Sequence, residues 1–286
     1  YLTILQFMRP KVVLTYIDNN SIYHWLCKNF TTPKYIAIQN GIRQSLGNKR
    51  YRNFYHDQFF CYGMYDVKKH KDLGCSFNNV YPVGSMRVGL LDNNKYEKNI
   101  LHDICLISSD GRRDPDIITD HNIRKIALEN RKIDLLIKRY CEEQSIRLII
   151  ALSPGTDHEK EYFRSIFGSD IKFSENTDPL STYRLLRNCN LAVSFMSTML
   201  VEALSLDCKA LAIHFNKEVK FFDYPKDIIH QFIDYNHFSK SMTKLLDMSP
   251  DAYNQEIEKT KTYVMNNNQE LPPHIVIKDH INSIIS

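Results

Sequence analysis

No stretch of this 286-residue chain approaches the ~18 consecutive apolar residues of a membrane-spanning helix. No signal peptide precedes the first apolar run, so a cytoplasmic protein is expected. The seven cysteines form no CxxC pair, which argues against a zinc cluster and for reduced, buried thiols. The eleven histidines show no HExxH or comparable ligand spacing. A GxGxxG after a strand and a Walker loop are both missing, so nicotinamide and P-loop chemistry have no support. GxSxG is missing as well, and with it the serine-hydrolase elbow. There is no fixed-period repeat and no low-complexity tract. The formal charge of +4 is too mild for a nucleic-acid binder, though it suits anionic ligands or a membrane surface.

The composition that remains is globular: 43% apolar and 24% charged. The length accommodates two domains. The first residue is Tyr1 rather than Met, and the expectation is a fragment with strands missing upstream.

Along the chain, short apolar runs alternate with helical patterns. Val12–Ile17, Tyr35–Ile38, Phe59–Gly63 and Val80–Ser85 read as strands, with helices over Ser21–Phe30 and Met64–Leu73. The polar segment Asp92–Asn99 reads as a linker. The alternation then restarts. Strands are expected at Asp103–Ile107, Arg147–Leu152, Ile171–Phe173, Leu191–Phe195 and Ala210–Ile213. Helices are expected at Ile123–Glu143, Glu159–Phe167 and Ser181–Arg187, with a mostly helical tail from His237. The expected fold class is α/β, with two Rossmann-like domains at 1–92 and 100–286 whose parallel sheets face a central cleft. In such sheets ligands bind outside the carboxyl ends of the strands.

Polar loops fall at those ends. In "SFMSTMLVEAL" a buried strand turns into a helix at Ser197 and Thr198. Ser197 could cap that helix, but Glu202 lies too far on to complete a capping box. A carboxylate among Leu200, Val201, Ala203 and Leu204 is costly unless paired. A phosphate on the leading amides and a ribose diol on Glu202 would explain all three residues. Ser153-Pro154-Gly155-Thr156 is either an ordinary turn or a close backbone approach to a ligand, with Ser153 and Gly155 as the contacts. Gln39-Asn40-Gly41-Ile42-Arg43 is more polar than a turn requires. Asp18-Asn19-Asn20 is a second polar loop or a helix cap. Ser108-Ser109-Asp110-Gly111-Arg112-Arg113 offers a candidate catalytic carboxylate, Asp110. Its two guanidinium forks, Arg112 and Arg113, suit phosphate or an acidic sugar. The alternative is a solvated charged loop.

"PKVVLTYIDNNSIYHWLCKNF", "YIAIQNGIR", "VYPVGSMRVG" and "LAVSFMSTMLVEALSLDCKALAI" resemble bacterial surface-carbohydrate biosynthesis transferases of the GT-B glycosyltransferase fold, from Pro10 to about Leu246. The resemblance implies a metal-independent enzyme without a cofactor. It implies a nucleotide-sugar donor, held by the second domain, and a glycan or lipid-linked acceptor. Peripheral association with the inner membrane surface is a further expectation. Ser197 and Thr198 would meet the donor phosphate, and Glu202 the ribose. "SDG" at Ser109-Asp110-Gly111 is similar to the catalytic carboxylate pattern of sialyltransferase-like enzymes, which implies a CMP-linked acidic keto-sugar such as Kdo. Asp110 would be base or nucleophile, with Gln39 and Asn40 orienting acceptor or donor. Related capsule enzymes carry His where this chain has Asn40. Two other readings share these motifs: a CDP-polyol phosphotransferase of the teichoic-acid kind, and a non-catalytic assembly scaffold.

Overall fold

The apolar runs become strands, and every strand pair is parallel among the residues described. The computed structural model describes residues 1–42, 54–91, 99–108, 114–152, 159–175, 177–215, 224–266 and 270–286. The chain divides into two compact units, the first built from Tyr1–Leu90 and the returning Lys259–Ser286, the second from most of the rest up to Glu258.

The first unit opens with helix α1 (Leu2–Met8), for which the sequence offers no periodic signal. Strands β1 (Val12–Thr15), β2 (Lys34–Ile38), β3 (Tyr55–Cys61) and β4 (Ser76–Pro82) form one sheet in that order. Helix α2 (Ser21–Asn29) joins β1 to β2, and α3 (Met64–Asp72) joins β3 to β4. Asn20 is the cap of α2, its side chain accepting from the amides of Ile22 and Tyr23 at 2.9 and 3.2 Å. A short helix α4 (Met86–Gly89) follows β4.

A strand's side chains alternate between faces, and both faces of this sheet are buried. Tyr35, Ala37, Phe59 and Cys61 pack with Tyr23, Leu26 and Cys27 of α2 and Val67 of α3. Ile36, Ile38 and Phe60 point the other way and pack against Ile277.

The second unit carries β5 (His102–Ile107), α5 (His121–Gln144), β6 (Leu148–Ala151), α6 (Glu159–Phe167), β7 (Lys172–Phe173), α7 (Ser181–Arg187), β8 (Cys189–Ser194), α8 (Met199–Ala203), β9 (Lys209–His214) and β10 (Ile229–Gln231). Its sheet order is β10-β9-β8-β5-β6-β7. Among the described strands, β10, three residues long, is the one without a counterpart in the sequence pattern. Helices α9 (Tyr235–Asp247), α10 (Pro250–Val264) and α11 (Pro273–Ile285) complete the chain.

The division drawn from sequence placed all of 100–286 in the second domain. The structure differs at the end, because the boundary falls inside α10 and α11 belongs to the first unit. The reason is the open face of the first sheet. Ile277 of α11 fills it against Ile36, Ile38 and Phe60, with Val276, Ile281 and Ile284 alongside. Residues 92–98 of the expected linker lie outside the described residues.

Candidate functional site

In the second unit, the polar groups gather where β5 and β8 end. Ser194, the last residue of β8, donates its hydroxyl to the Ile107 carbonyl at 2.9 Å and accepts from the Met196 amide at 3.2 Å. The two central strands are thereby tied together at their carboxyl ends. Ser108, the next residue after β5, donates to Glu159 at 2.5 Å. Both are buried, with Glu159 fully so. A carboxylate at the start of a helix is favoured by the unpaired amides and the dipole there.

The turn after β8 is held by an aromatic hydroxyl. Tyr224 accepts from the Ser197 amide at 2.6 Å and donates to the Ser197 carbonyl at 2.8 Å. Burial pushes that phenol far above its ordinary pKa, so it is a neutral donor and acceptor. The Ser197 hydroxyl accepts from the Met199 amide at 3.3 Å. The Leu200 amide reaches the Ser197 carbonyl at 3.2 Å. The amides of Ser197, Met199 and Leu200 thus have protein partners, and the Val201 amide reaches the Thr198 carbonyl at 3.2 Å.

One turn further on, Glu202 is 1% exposed and accepts from the Tyr183 hydroxyl of α7 at 3.0 Å. Its burial is supported by a protein hydrogen bond, so a ligand is not needed to explain it.

In the first unit, Gln39 stands at the carboxyl end of β2 and is 1% exposed. Its amide nitrogen donates to the Gly41 carbonyl at 3.0 Å, and its amide oxygen accepts from the Tyr62 amide at 2.8 Å. Asn40 donates its backbone amide to the buried Asp18 carboxylate at 3.2 Å.

No protein-family model matches the sequence, and no curated protein matches it. Solved structures do match. The UDP complex of S. aureus MnaA has 14% sequence identity and a TM-score of 0.60, covering 99% of this chain and 78% of its own. The UDP-GlcNAc 2-epimerase from Neisseria meningitidis bound to UDP-GlcNAc has 13% identity and a TM-score of 0.56, covering 98% and 78%. The sucrose-phosphate synthase of Thermosynechococcus elongatus has 12% identity and a TM-score of 0.51, covering 99% and 76%. This chain has the GT-B fold. At these identities the likeness establishes architecture only.

Set within the GT-B fold, the expected site residues divide into three groups. Ser197, Thr198 and Glu202 come together at the strand-to-helix turn after β8, as the motif suggested. Gln39 takes a different task from the one expected: both ends of its amide are committed to backbone, so it latches the ends of β2 and β3 rather than presenting itself to an acceptor. Asp110, Arg112, Arg113, Ser153 and Gly155 lie outside the described residues. Tyr183, Glu159 and Tyr224 were missed from sequence. Each has its partner far along the chain, and no local pattern marks it. No described helix is long and apolar enough to cross a membrane.

Proposed function

We propose that this chain is a nucleotide-sugar-dependent glycosyltransferase of surface-polysaccharide assembly. The observation that carries the reading is the turn from β8 into α8, where Ser197 and Thr198 stand at the carboxyl end of a central parallel strand. Ligands of open parallel sheets bind at such ends. The structures similar in fold that carry UDP or UDP-GlcNAc support a nucleotide-sugar as the ligand. In this reading a ribose diol shares the Glu202 carboxylate with Tyr183, and Thr198 meets the phosphate. Arg112 and Arg113 offset the charge that develops on the departing nucleotide. Ser153 and Gly155 lie against the donor, and Asn40 orients the acceptor. Asp110 takes the proton of the acceptor hydroxyl as base, or attacks as nucleophile in a two-step route. The finer form of the reading is a CMP-linked acidic keto-sugar passed to a glycan or lipid-linked acceptor, by an enzyme working at the inner face of the membrane and needing no metal for transfer.

A second reading, sugar epimerisation, is favoured by the likeness to the Neisseria UDP-GlcNAc 2-epimerase. One experiment separates the two. Melting temperature is measured with CMP, CDP, UDP and GDP, and the matching nucleotide-sugars are then incubated with the protein and analysed by mass spectrometry and NMR. Transfer releases the nucleotide and lengthens an acceptor. Epimerisation leaves the nucleotide-sugar intact with an inverted carbon. A nucleotide-induced rise in melting temperature, absent in Glu202→Ala, is expected. No rise with any nucleotide overturns both readings.

A further inference from the structure

Three soft metal ligands converge in the first unit. His56 is the second residue of β3, His70 lies in the last turn of α3, and Cys75 immediately precedes β4. Their ligand atoms, two imidazole nitrogens and one sulfur, all lie within 4.8 Å of one another. All three residues are buried, at 0, 2 and 7% exposure.

The fold explains the convergence. His56 pairs with Phe77 across the β3–β4 ladder. Cys75 stands two residues before Phe77, so the alternation of a strand puts it on the side of His56. The chain leaves α3 through Gly74, whose φ of +86° is a left-handed turn that glycine adopts without strain. That turn brings the Cys75 amide back to the His70 carbonyl at 2.9 Å. One tight turn therefore sets the sulfur beside one imidazole, and the sheet sets both beside the other.

The surrounding shell is aromatic. His56 stacks on Phe77 with centroids 5.2 Å apart, and Phe59 lies 4.4 Å from His56 and 5.0 Å from His70. The neighbouring His24 has its two ring nitrogens at 2.9 and 2.7 Å from the backbone oxygens of Tyr55 and Asp18, so it is engaged elsewhere.

We infer that His56, His70 and Cys75 form a binding site for a zinc-class divalent ion. Thiolate with imidazole selects zinc over magnesium or calcium, which prefer oxygen. Zinc bonds of ~2.0–2.3 Å place donor atoms roughly 3.5 Å apart, so the trio closes by about 1 Å on loading, within reach of side-chain rotation. Loading forms the metal–sulfur bond and releases the thiol proton to solvent. The site sits toward the amino ends of β3 and β4, opposite the ends where ligands of such sheets bind. Its role is therefore to pin the end of α3 to the sheet.

The test uses the full chain, purified without chelator and supplemented with zinc. Elemental analysis is expected to give close to one zinc per chain, falling at least tenfold in Cys75→Ser. Replacement by cobalt is expected to produce a thiolate-to-cobalt charge-transfer band that Cys75→Ser lacks. If that variant does not fold, the wild-type protein decides: zinc must protect Cys75 from alkylation, read by peptide mass spectrometry, and chelator must expose it. Absence of bound zinc after supplementation, full zinc retention by Cys75→Ser, or equal alkylation with and without zinc overturns the inference. None of these readings depends on nucleotide binding.

Discussion

Tyr183 and Glu202 stand on different helices, nineteen residues apart, and a 3.0 Å hydrogen bond joins them in full burial. Tyr183→Phe removes the donor and leaves the carboxylate to bear its desolvation. The expected loss of stability is about 1–3 kcal/mol. Glu202→Leu alone removes the acceptor and leaves the Tyr183 hydroxyl buried without it, at a similar cost. Tyr183→Phe combined with Glu202→Leu removes both partners and should recover part of the loss. Urea denaturation of the four proteins as a double-mutant cycle checks this, and strictly additive losses would contradict the pairing.

Gln39 holds two backbone groups at once, the Gly41 carbonyl and the Tyr62 amide. Gln39→Leu retains most of the volume and leaves both groups buried without that partner. A loss of roughly 1–3 kcal/mol is expected, with the Tyr62 amide exchanging faster with deuterium. If Gln39 instead touched substrate, the variant would keep its stability and lose only activity.

Gly84 adopts a φ of +91°, and a Cβ placed there would stand 2.1 Å from the Asn266 carbonyl oxygen. The chain is tightly docked at this point, since the Asn266 amide donates to the Tyr62 carbonyl at 2.8 Å. Gly84→Ala meets both backbone strain and a collision with main chain. Gly168 is a natural control: its φ is +96°, and among the described residues a Cβ would meet nothing within 4 Å. Gly168→Ala should cost about 1–2 kcal/mol from the backbone alone. Gly84→Ala should cost clearly more and should make the C-terminal helix susceptible to limited proteolysis. Equal losses would mean that the contact with Asn266 gives way freely.

Asp103 and Arg147 form a forked pair, with Nε to Oδ2 at 3.0 Å and a terminal nitrogen to Oδ1 at 2.7 Å. The Arg147 hydrogen bonds hold the Asp103 carboxyl below its ordinary value. A lowered carboxyl contributes stability that is complete above its ordinary value and is lost as pH falls through the lowered one. Asp103→Asn should therefore melt below the wild type at neutral pH, and the gap should close as the pH drops below about 4. Melting curves from pH 7 to pH 3 measure it. A gap that stays constant over that range would remove the electrostatic explanation.

Local pattern carried most of the architecture. The buried runs at Tyr35–Ile38 and Leu191–Phe195 could be read as parallel strands because a sheet covered on both faces needs continuous apolar residues. Asn20 marked the start of α2 because a side-chain acceptor is needed there. Helix α1 and β10 lacked such marks, being short and without a clear period.

The turn at Ser197 and the acid at Glu202 were likewise plain in the linear order of residues, since a polar group in an apolar helix is visible wherever it occurs. What holds them was not. Tyr183 binds Glu202, Tyr224 binds Ser197, and Ile277 binds the face made by Ile36 and Phe60, all across distances in the chain that no periodicity records. The same holds for His56, His70 and Cys75, which share no metal-binding spacing and meet only through the β3–β4 register and one glycine turn. Periodicity reports which face of an element turns inward, because that is a property of neighbours along the backbone. Which side chains then meet depends on strand order, register and the path of the last helix, and those emerge only when the whole chain competes for the same buried surface.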